Sequence, residues 1–424
     1  MIFVISHTSR ILRFFAFFLV LSGSCLHLYS QTTGDYRTVS NGNWSNDNIW
    51  ERYNGTNWVT PNRYPGENAG TENVTIRHNV SLNRSPANAI GSLLIQANLT
   101  PDSDDRILTI SNDLEVSSGT LNLSAFIDDQ VLLYVGRNFI ITGGSVTETV
   151  EYGSIIFNGT GIQSFIKSGG TISGDIRFTV NSGSTLDMGI SVLDGSSGSF
   201  TLSSGAGLMT AHPEGISTSG ASGSIQVTGT RSFNTGASYT YNGTLSQVTG
   251  TGLPATVLDL TINNAAGVLL SSALSVSGTL TLTDGILDAG SRTVTITNTS
   301  SSAVTGWSSS FVNVTTGSFQ RALPANLSGT GNNYLFPIGE GNFYKAINLI
   351  DVNTGSTGPV LSASVSPTGA ITTDNITVSL IEPRYWSLLN VNGGNLTGAS
   401  VELYESDLDI TKTICMAPAS SGDY

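Results

Sequence analysis

The chain has 424 residues, is 39% hydrophobic and 11% charged, and carries 30 acids against 17 Lys and Arg, a net charge of −13. Apolar alternation persists throughout so lightly charged a chain, which argues against disorder, and its acidity repels nucleic acid and anionic lipid. Its 48 glycines, set among abundant Ser, Thr and Asn, indicate turn-rich all-β structure, with length enough for two or three domains.

Residues 1–30 read as a signal peptide for secretion. Arg10 and Arg13 form the basic region, Phe14 to Leu21 form the apolar core, and Tyr29-Ser30 precedes a plausible cut at Gln31. So short an apolar run cannot span a bilayer. A lipoprotein signal at Cys25 is the alternative, but Ser22-Gly23-Ser24 lacks the aliphatic residue three places before the cysteine. Cleavage takes two arginines and no acid, leaving 15 basic residues against 30 acids, a net −15. The expected location is extracellular and surface-associated, with no membrane insertion after cleavage and no nucleic-acid partner. Cys415 is then left alone, so no intramolecular disulfide forms, and the exported chain must be held by stacking, strand pairing or bound ions.

Residues 31–90 form an aromatic-rich N-terminal cap. Trp44, Trp50, Tyr53, Trp58 and Tyr64 crowd ahead of Pro65-Gly66 and a clear strand, Val74-Thr75-Ile76, followed by Val80 and Leu82. Clustered tryptophans stack on sugar rings, and they also plug the open end of a repeat stack; Trp44, Trp50, Tyr53 and Trp58 are therefore candidate ligand-binding residues as well as candidate plugs.

From residue 91 to 314 apolar residues recur with one residue between them. The clearest run is Val257 to Thr297, with the pairs Leu260/Ile262, Val268/Leu270, Leu274/Val276, Leu280/Leu282 and Val294/Ile296 separated by Asn, Gly, Ser or Asp-Gly. Such alternation places each pair on one face of a short strand. The pairs also echo at a longer distance, Ile262 at Leu282 and Val276 at Ile296. About three strands and about 20 residues per lap predict a right-handed parallel β-helix, a β-solenoid, over a hairpin meander, which has no need of that echo. Earlier pairs are read at Leu94/Ile95, Ile107/Leu108/Ile110, Leu114/Val116, Leu132/Leu133/Val135 and Phe178/Val180. A longer repeat aligns Ser154–Thr160 through Gln163 with Ser238–Thr244 through Gln247 at an offset of 84, read as about four laps in phase. Roughly ten rungs at about 4.8 Å each make a rod about 50 Å long. Weaker pairs between Gly195 and Gly223 mark a place for bulges or projecting loops. The asparagines after strands, Asn158, Asn181, Asn242, Asn263 and Asn264, suit tight corners, because the side chain tolerates the left-handed conformation and bonds nearby backbone.

Past Trp307 the texture changes. Longer loops, prolines, the strand candidates Val360–Val365, Ile376–Leu380 and Val401–Tyr404, and the fifth tryptophan, Trp386, indicate an antiparallel β-sandwich over 315–424, read as incomplete.

Two resemblances follow. The pattern GNWS…IW…P…NVTI…V.L in the N-terminal unit resembles the extracellular eight-glycine domain that opens many secreted solenoid proteins. The segments YNGT.SQVTGTGLPATVLDLTINNAAGV.LS..LSVSGTLTLTDGILD.GS, G.FQR.L…Y.FPIG…Y and RYWSL look like the large surface proteins of bacteria with type IX secretion. That resemblance implies an adhesin-like role and a C-terminal sorting domain, of which the chain shows none before Tyr424.

Chemistry is sparse. Lyases on parallel β-helices need carboxylates with a Lys or Arg base on adjacent rungs, and glycoside hydrolases need opposed carboxylates. Arg137 and Arg177 read as sharing a face two rungs apart; Asp175 beside Arg177 reads as a surface ion pair; Glu148, Glu151, Asp187 and Asp194 form no tight cluster; His212 before Pro213 reads as a loop residue. Asp102, Asp104 and Asp105, with Asp407 and Asp409 further on, have the Asp-x-Asp spacing of calcium sites, with solvated turn acids the simpler reading. No catalytic residue is assigned. The expectation is a non-catalytic, adhesin-like or structural surface protein contacting glycans or other surface proteins, without a cofactor unless calcium. A carbohydrate-active enzyme, a polysaccharide lyase or glycoside hydrolase using the β-helix face, is the alternative.

Overall fold

A computed structural model describes residues 31–70, 72–306, 309–367 and 384–404. The expected signal segment 1–30 with Cys25, Trp307, the strand candidate 376–380, Asp407, Asp409 and Cys415 lie outside the described residues.

Alternation decides the architecture. Between Val257 and Ile296 every expected pair faces inward and is at most 5% exposed. Thr261, Ser275, Thr281 and Thr295 lie half-buried on the outer face. Each strand pairs in parallel with the strand one lap on: Leu260 with Leu280, Ile262 with Leu282, Val276 with Ile296. The chain is therefore a β-solenoid, of about 11 turns. A hairpin meander would pair neighbours in sequence, and these strands do not.

Each lap visits three faces. One is a single sheet of fourteen strands, running from Val304–Thr305 at one end to Trp58–Val59 at the other. The other two faces are each divided into two six-stranded sheets. On one face the break runs from Ser173 to Gln247, spans the glycine- and serine-rich stretch and is carried by isolated bridges such as Leu193 to Ile225; on the other it lies between Phe233 and Thr256. The lap is not constant. On the long sheet Val74 stacks on Leu93, Leu114 on Phe139 and Leu208 on Tyr239, each step longer than the one before. Corners absorb the difference, because only the inward positions must stay in register.

Stacking begins well before residue 91. Tyr36–Thr38 already pairs in parallel with Val74–Ile76, and Val74 with Leu93. Only Trp50–Tyr53 and Trp58–Val59 run antiparallel, closing that end of the long sheet. At the other end stacking continues past residue 315, since Ser318–Ala322 and Ile338–Glu340 still lie parallel on the preceding rungs. Antiparallel strands Val360–Pro367 and Arg384–Asn390 then extend one of those same faces. Tyr334–Phe336, Ile347–Thr354 and Leu396–Leu403 form a separate three-stranded antiparallel sheet.

The longer repeat proves to be a corner module rather than a phase marker. Its first copy lies in Gly153–Phe157, on one of the divided faces, and its second in Ser238–Tyr241, on the long sheet. The offset is therefore not a whole number of laps. What recurs is local: a strand, an Asn-Gly-Thr turn and a buried glutamine. Gln163 accepts the N–H of Gly159 (2.8 Å) and donates to the carbonyls of Val135 (2.7 Å) and Arg137 (2.9 Å) on the lap before. Gln247 likewise accepts the N–H of Gly243 (2.8 Å) and donates to the carbonyls of Thr210 and His212 (3.0 and 3.1 Å). Backbone groups that a sharp corner would strand inside the protein thus find partners.

Of the two expected uses of asparagine at corners, only the hydrogen bonding is found. Among described non-glycine residues only Asp128, Asn326 and Asp351 have positive φ, so none of the five post-strand asparagines is left-handed. Asn264 and asparagines at other corners work through the amide. Asn264 donates to Gln247 Oε1 (2.8 Å), and Asn41, Asn79 and Asn98 form a ladder in which each side-chain oxygen accepts the next asparagine's backbone N–H (2.9 and 3.3 Å). The left-handed corners fall to glycine: at Gly285, φ is +81° and a Cβ would stand 1.7 Å from the Asn264 carbonyl oxygen one lap back.

Two buried arginines bind loops where the lap loses regularity. Arg231 donates to the carbonyls of Val227, Ser217 and Gly220 at 2.6–3.1 Å. Arg321 donates to those of Leu335, Ser300 and Ser301 at 2.7–2.8 Å, and burial pulls its pKa down to about 10, which still leaves it charged at neutral pH.

Gln247→Ala removes four hydrogen bonds and strands the Gly243 N–H, while the Thr210 and His212 carbonyls keep the N–H groups of Asn242 and Gly215 and Asn264 keeps the Leu245 carbonyl. It should destabilise the fold by about 1–3 kcal/mol, read as a lower urea midpoint with faster amide exchange at Gly243. A second outcome concerns the loop that Arg231 holds. The Glu214 carboxylate accepts from the Ser222 hydroxyl (2.8 Å) and the Gly223 N–H, and these bonds lower its pKa from 4.5. A lowered folded-state pKa means that the stabilisation is present above the ordinary carboxylate value and lost as pH falls through the lowered one. Amide exchange at Gly223, corrected for its intrinsic pH dependence, should therefore accelerate on acidification, and Glu214→Gln should abolish that pH response.

Candidate ligand-binding site

The four aromatic candidates divide by burial. Trp44 and Trp50 are 0% exposed, which removes them as ligand contacts. Their indole N–H groups are satisfied internally, Trp50 on the Trp44 carbonyl (2.9 Å) and Trp44 on that of Pro65 (3.0 Å), and their rings meet edge to face at 5.1 Å. They plug the end of the stack. Tyr53 and Trp58 stay half-exposed, paired across the antiparallel hairpin with ring centroids 5.4 Å apart. The guanidinium of Arg37 lies 4.2 Å from the Trp58 ring centre and is held by Glu51 Oε2 through Nε (2.9 Å) and Nη2 (2.7 Å).

Trp58 and Arg37 border a groove of about 300 Å³ on the outer face of the first three rungs. Its floor is a column in register, Arg37 to Thr75 to Leu94. Leu94 is there because the inward pair of its strand is Leu93 and Ile95, not Leu94 and Ile95. Ile107, likewise expected inside, is 46% exposed. One column over, Asn73 donates to Asp35 Oδ1 (3.0 Å) and accepts the Ser92 N–H (3.0 Å), a polar ladder that sets the spacing of that side. On the opposite side Arg77 and Gln96 occupy the next outward positions and are exposed. The Arg77 guanidinium makes no hydrogen bond or ion pair among the described residues. Sequence reasoning found Trp58 but not Arg37, Arg77 or Gln96. Their convergence depends on a long first lap, Tyr36 to Val74, that no regular echo announces.

The acidic candidates are engaged elsewhere. Asp102 and Asp104 both bind Arg106 Nη2, at 2.6 and 2.7 Å, and Asp105 accepts the Gln130 N–H (3.1 Å). A guanidinium thus stands where the calcium reading would put the ion. Burial lowers the Arg106 pKa, but the hydrogen bonds and charges of Asp102 and Asp104 outweigh it, so the net shift is upward and Arg106 is no general base. Among the described residues no group of three or more His, Cys, Asp or Glu is placed to hold a metal ion.

The remaining bases are dispersed. Arg137 pairs with Asp113 (2.7 Å) at a corner leading to the long sheet, while Arg177 lies in Ile176–Val180 on another face, so the two do not share one. Nor does Arg177 pair with Asp175 among the described contacts; it stacks 3.5 Å from the Tyr152 ring centre, and the Asp175 N–H donates to Glu148. Lys167 pairs with Asp194 (2.9 Å). His212 accepts the Glu214 N–H through Nδ1 (3.2 Å), as a loop residue does.

Comparison of the chain with family models, curated proteins and solved structures gives no match, so the groove is interpreted from its own chemistry. No helix among the described residues is long and apolar enough to cross a membrane.

Trp50→Ala should cost about 3–5 kcal/mol by opening a cavity in the plug, with a clear drop in melting temperature. Trp58→Ala, at a half-exposed position, should leave the far-UV circular dichroism unchanged and lower the melting temperature far less.

Proposed function

We propose that this protein is a non-catalytic, secreted repeat protein of the cell surface, adhesin-like in role, that contacts glycans through the groove beside Trp58. The observation that carries this reading is the composition of the groove. An indole, an aliphatic floor residue (Leu94), an amide (Gln96) and two guanidinium groups converge there. Saccharides present both apolar C–H faces and hydroxyl edges, and a concave site mixing aromatic surface with a few polar groups is what such ligands require. The rigid stack beneath supports it, because the groove floor belongs to the same parallel ladder as the core and its side chains are held before any ligand arrives.

The basic and apolar pattern of residues 1–30 and the resemblance to type IX surface proteins support export and a surface location. A rod about 50 Å long would hold the groove away from whatever anchors its far end. Binding to an immobilised glycan panel tests the proposal: the intact protein should retain a subset of glycans, and Trp58→Ala and Arg37→Ala should each abolish retention with circular dichroism unchanged. Retention unaffected by both substitutions would discard the groove as the site.

A further inference from the structure

We infer that the groove is selective for acidic saccharides, those bearing a carboxylate or sulfate, and that Arg77 is the residue that reads the charge. This rests on the glycan-contact reading above and adds the ligand class to it.

The two arginines of the groove are in different states. Arg37 is committed: Glu51 takes its Nε and Nη2, and its plane lies against Trp58. It is a fixed part of the wall, with its charge largely answered. Arg77 is exposed, just beyond the end of Val74–Ile76, and its guanidinium has no partner among the described residues. Among the described residues other arginines, such as Arg84 and Arg292, also form no ion pair; what sets Arg77 apart is its place at the lip of the groove with its guanidinium open to solvent. Its planar fork matches a carboxylate or sulfate with two parallel hydrogen bonds, which a neutral hydroxyl cannot reciprocate. Gln96 stands on the adjoining rung on the same side, and Thr75 and Leu94 lie in the floor between Arg77 and Trp58. A sugar ring against the indole can thus direct a ring acid toward Arg77.

The one acid in the groove lining, Asp35, is buried and takes hydrogen bonds from Thr32 and Asn73, and the acids outside the groove act at longer range. At physiological salt the Debye length is about 8 Å, so distant acids are screened while a contact at Arg77 is not.

The test uses matched pairs of ligands that differ in charge alone, with the full chain in 0.15 M salt and a chelator to exclude calcium bridging. Oligogalacturonate is compared with its methyl ester, and a sulfated glycan with its desulfated form. The acid forms should bind at least about tenfold more tightly. Arg77→Gln should weaken the acid form far more than the neutral form, so that the two bind alike, and Arg77→Lys should recover only part of the loss. Trp58→Ala should weaken both forms alike. Equal affinity for charged and neutral members, or an Arg77→Gln protein that still prefers the acid, overturns the charge selectivity and leaves the glycan reading standing. Failure of the folded protein to bind any member of the pairs or of the wider panel overturns both.

Discussion

Everything in this molecule depends on one pairing rule: an inward aliphatic side chain lies on another one lap away, with parallel hydrogen bonds between their strands. Leu260 on Leu280 and Val276 on Ile296 show the rule where laps are short and regular. The same rule tolerates the much longer lap from Leu208 to Tyr239, because a corner can lengthen without disturbing the positions that stack. Burial of aliphatic surface supplies the stabilisation, and the ladder supplies partners for the backbone that burial strands.

Corners are where that rule gives no help. A chain turning sharply beside a dry core leaves N–H and C=O groups pointing inward, and this sequence answers with amides and guanidinium groups. Gln163 and Gln247 bind both their own turn and the carbonyls of the preceding lap, Asn41, Asn79 and Asn98 link successive corners, and Arg231 and Arg321 gather three carbonyls each. Such bonds are individually modest, but losing one of these glutamines or arginines would leave buried backbone groups without a partner, as the Gly243 N–H would be without Gln247. They tie down the irregular laps through hydrogen bonds, to which Arg321 adds a contact with the Tyr334 ring at 5.0 Å.

The outer face of the stack is mostly short polar side chains, so a site must come from a place where the regular surface is interrupted. The groove arises at the end of the long sheet, where a long first lap and an antiparallel hairpin bring Trp58 and Arg37 beside the outward residues of the next two rungs. The tryptophans that close the stack and the tryptophan that borders the groove sit in one short segment yet do opposite jobs. The direction each ring takes off its strand separates them.

Much of the architecture was legible in the residues themselves. Period-two alternation with a regular longer echo contains the parallel stack, because strand faces and lap length are both local properties of the chain. The limits of the stack were not legible. The first lap, Tyr36 to Val74, and the laps that carry the stack past residue 315 are too long to match the echo, and only their shared register shows that they belong, whereas Val74 to Leu93 and Val80 to Leu99 keep the regular spacing. Nor could alternation tell Leu93 from Leu94 as the inward residue, since a run of apolar residues fits either face. The groove was the least legible part: Arg37, Thr75, Leu94 and Arg77 come from different laps, and only the stacking of those laps makes them neighbours. Sequence alone determined that the chain would coil, because burial of alternating side chains is decided residue by residue. Tertiary structure alone decided where the coil begins, which acids meet which bases, and which tryptophan faces water, because each depends on the side chain one lap away.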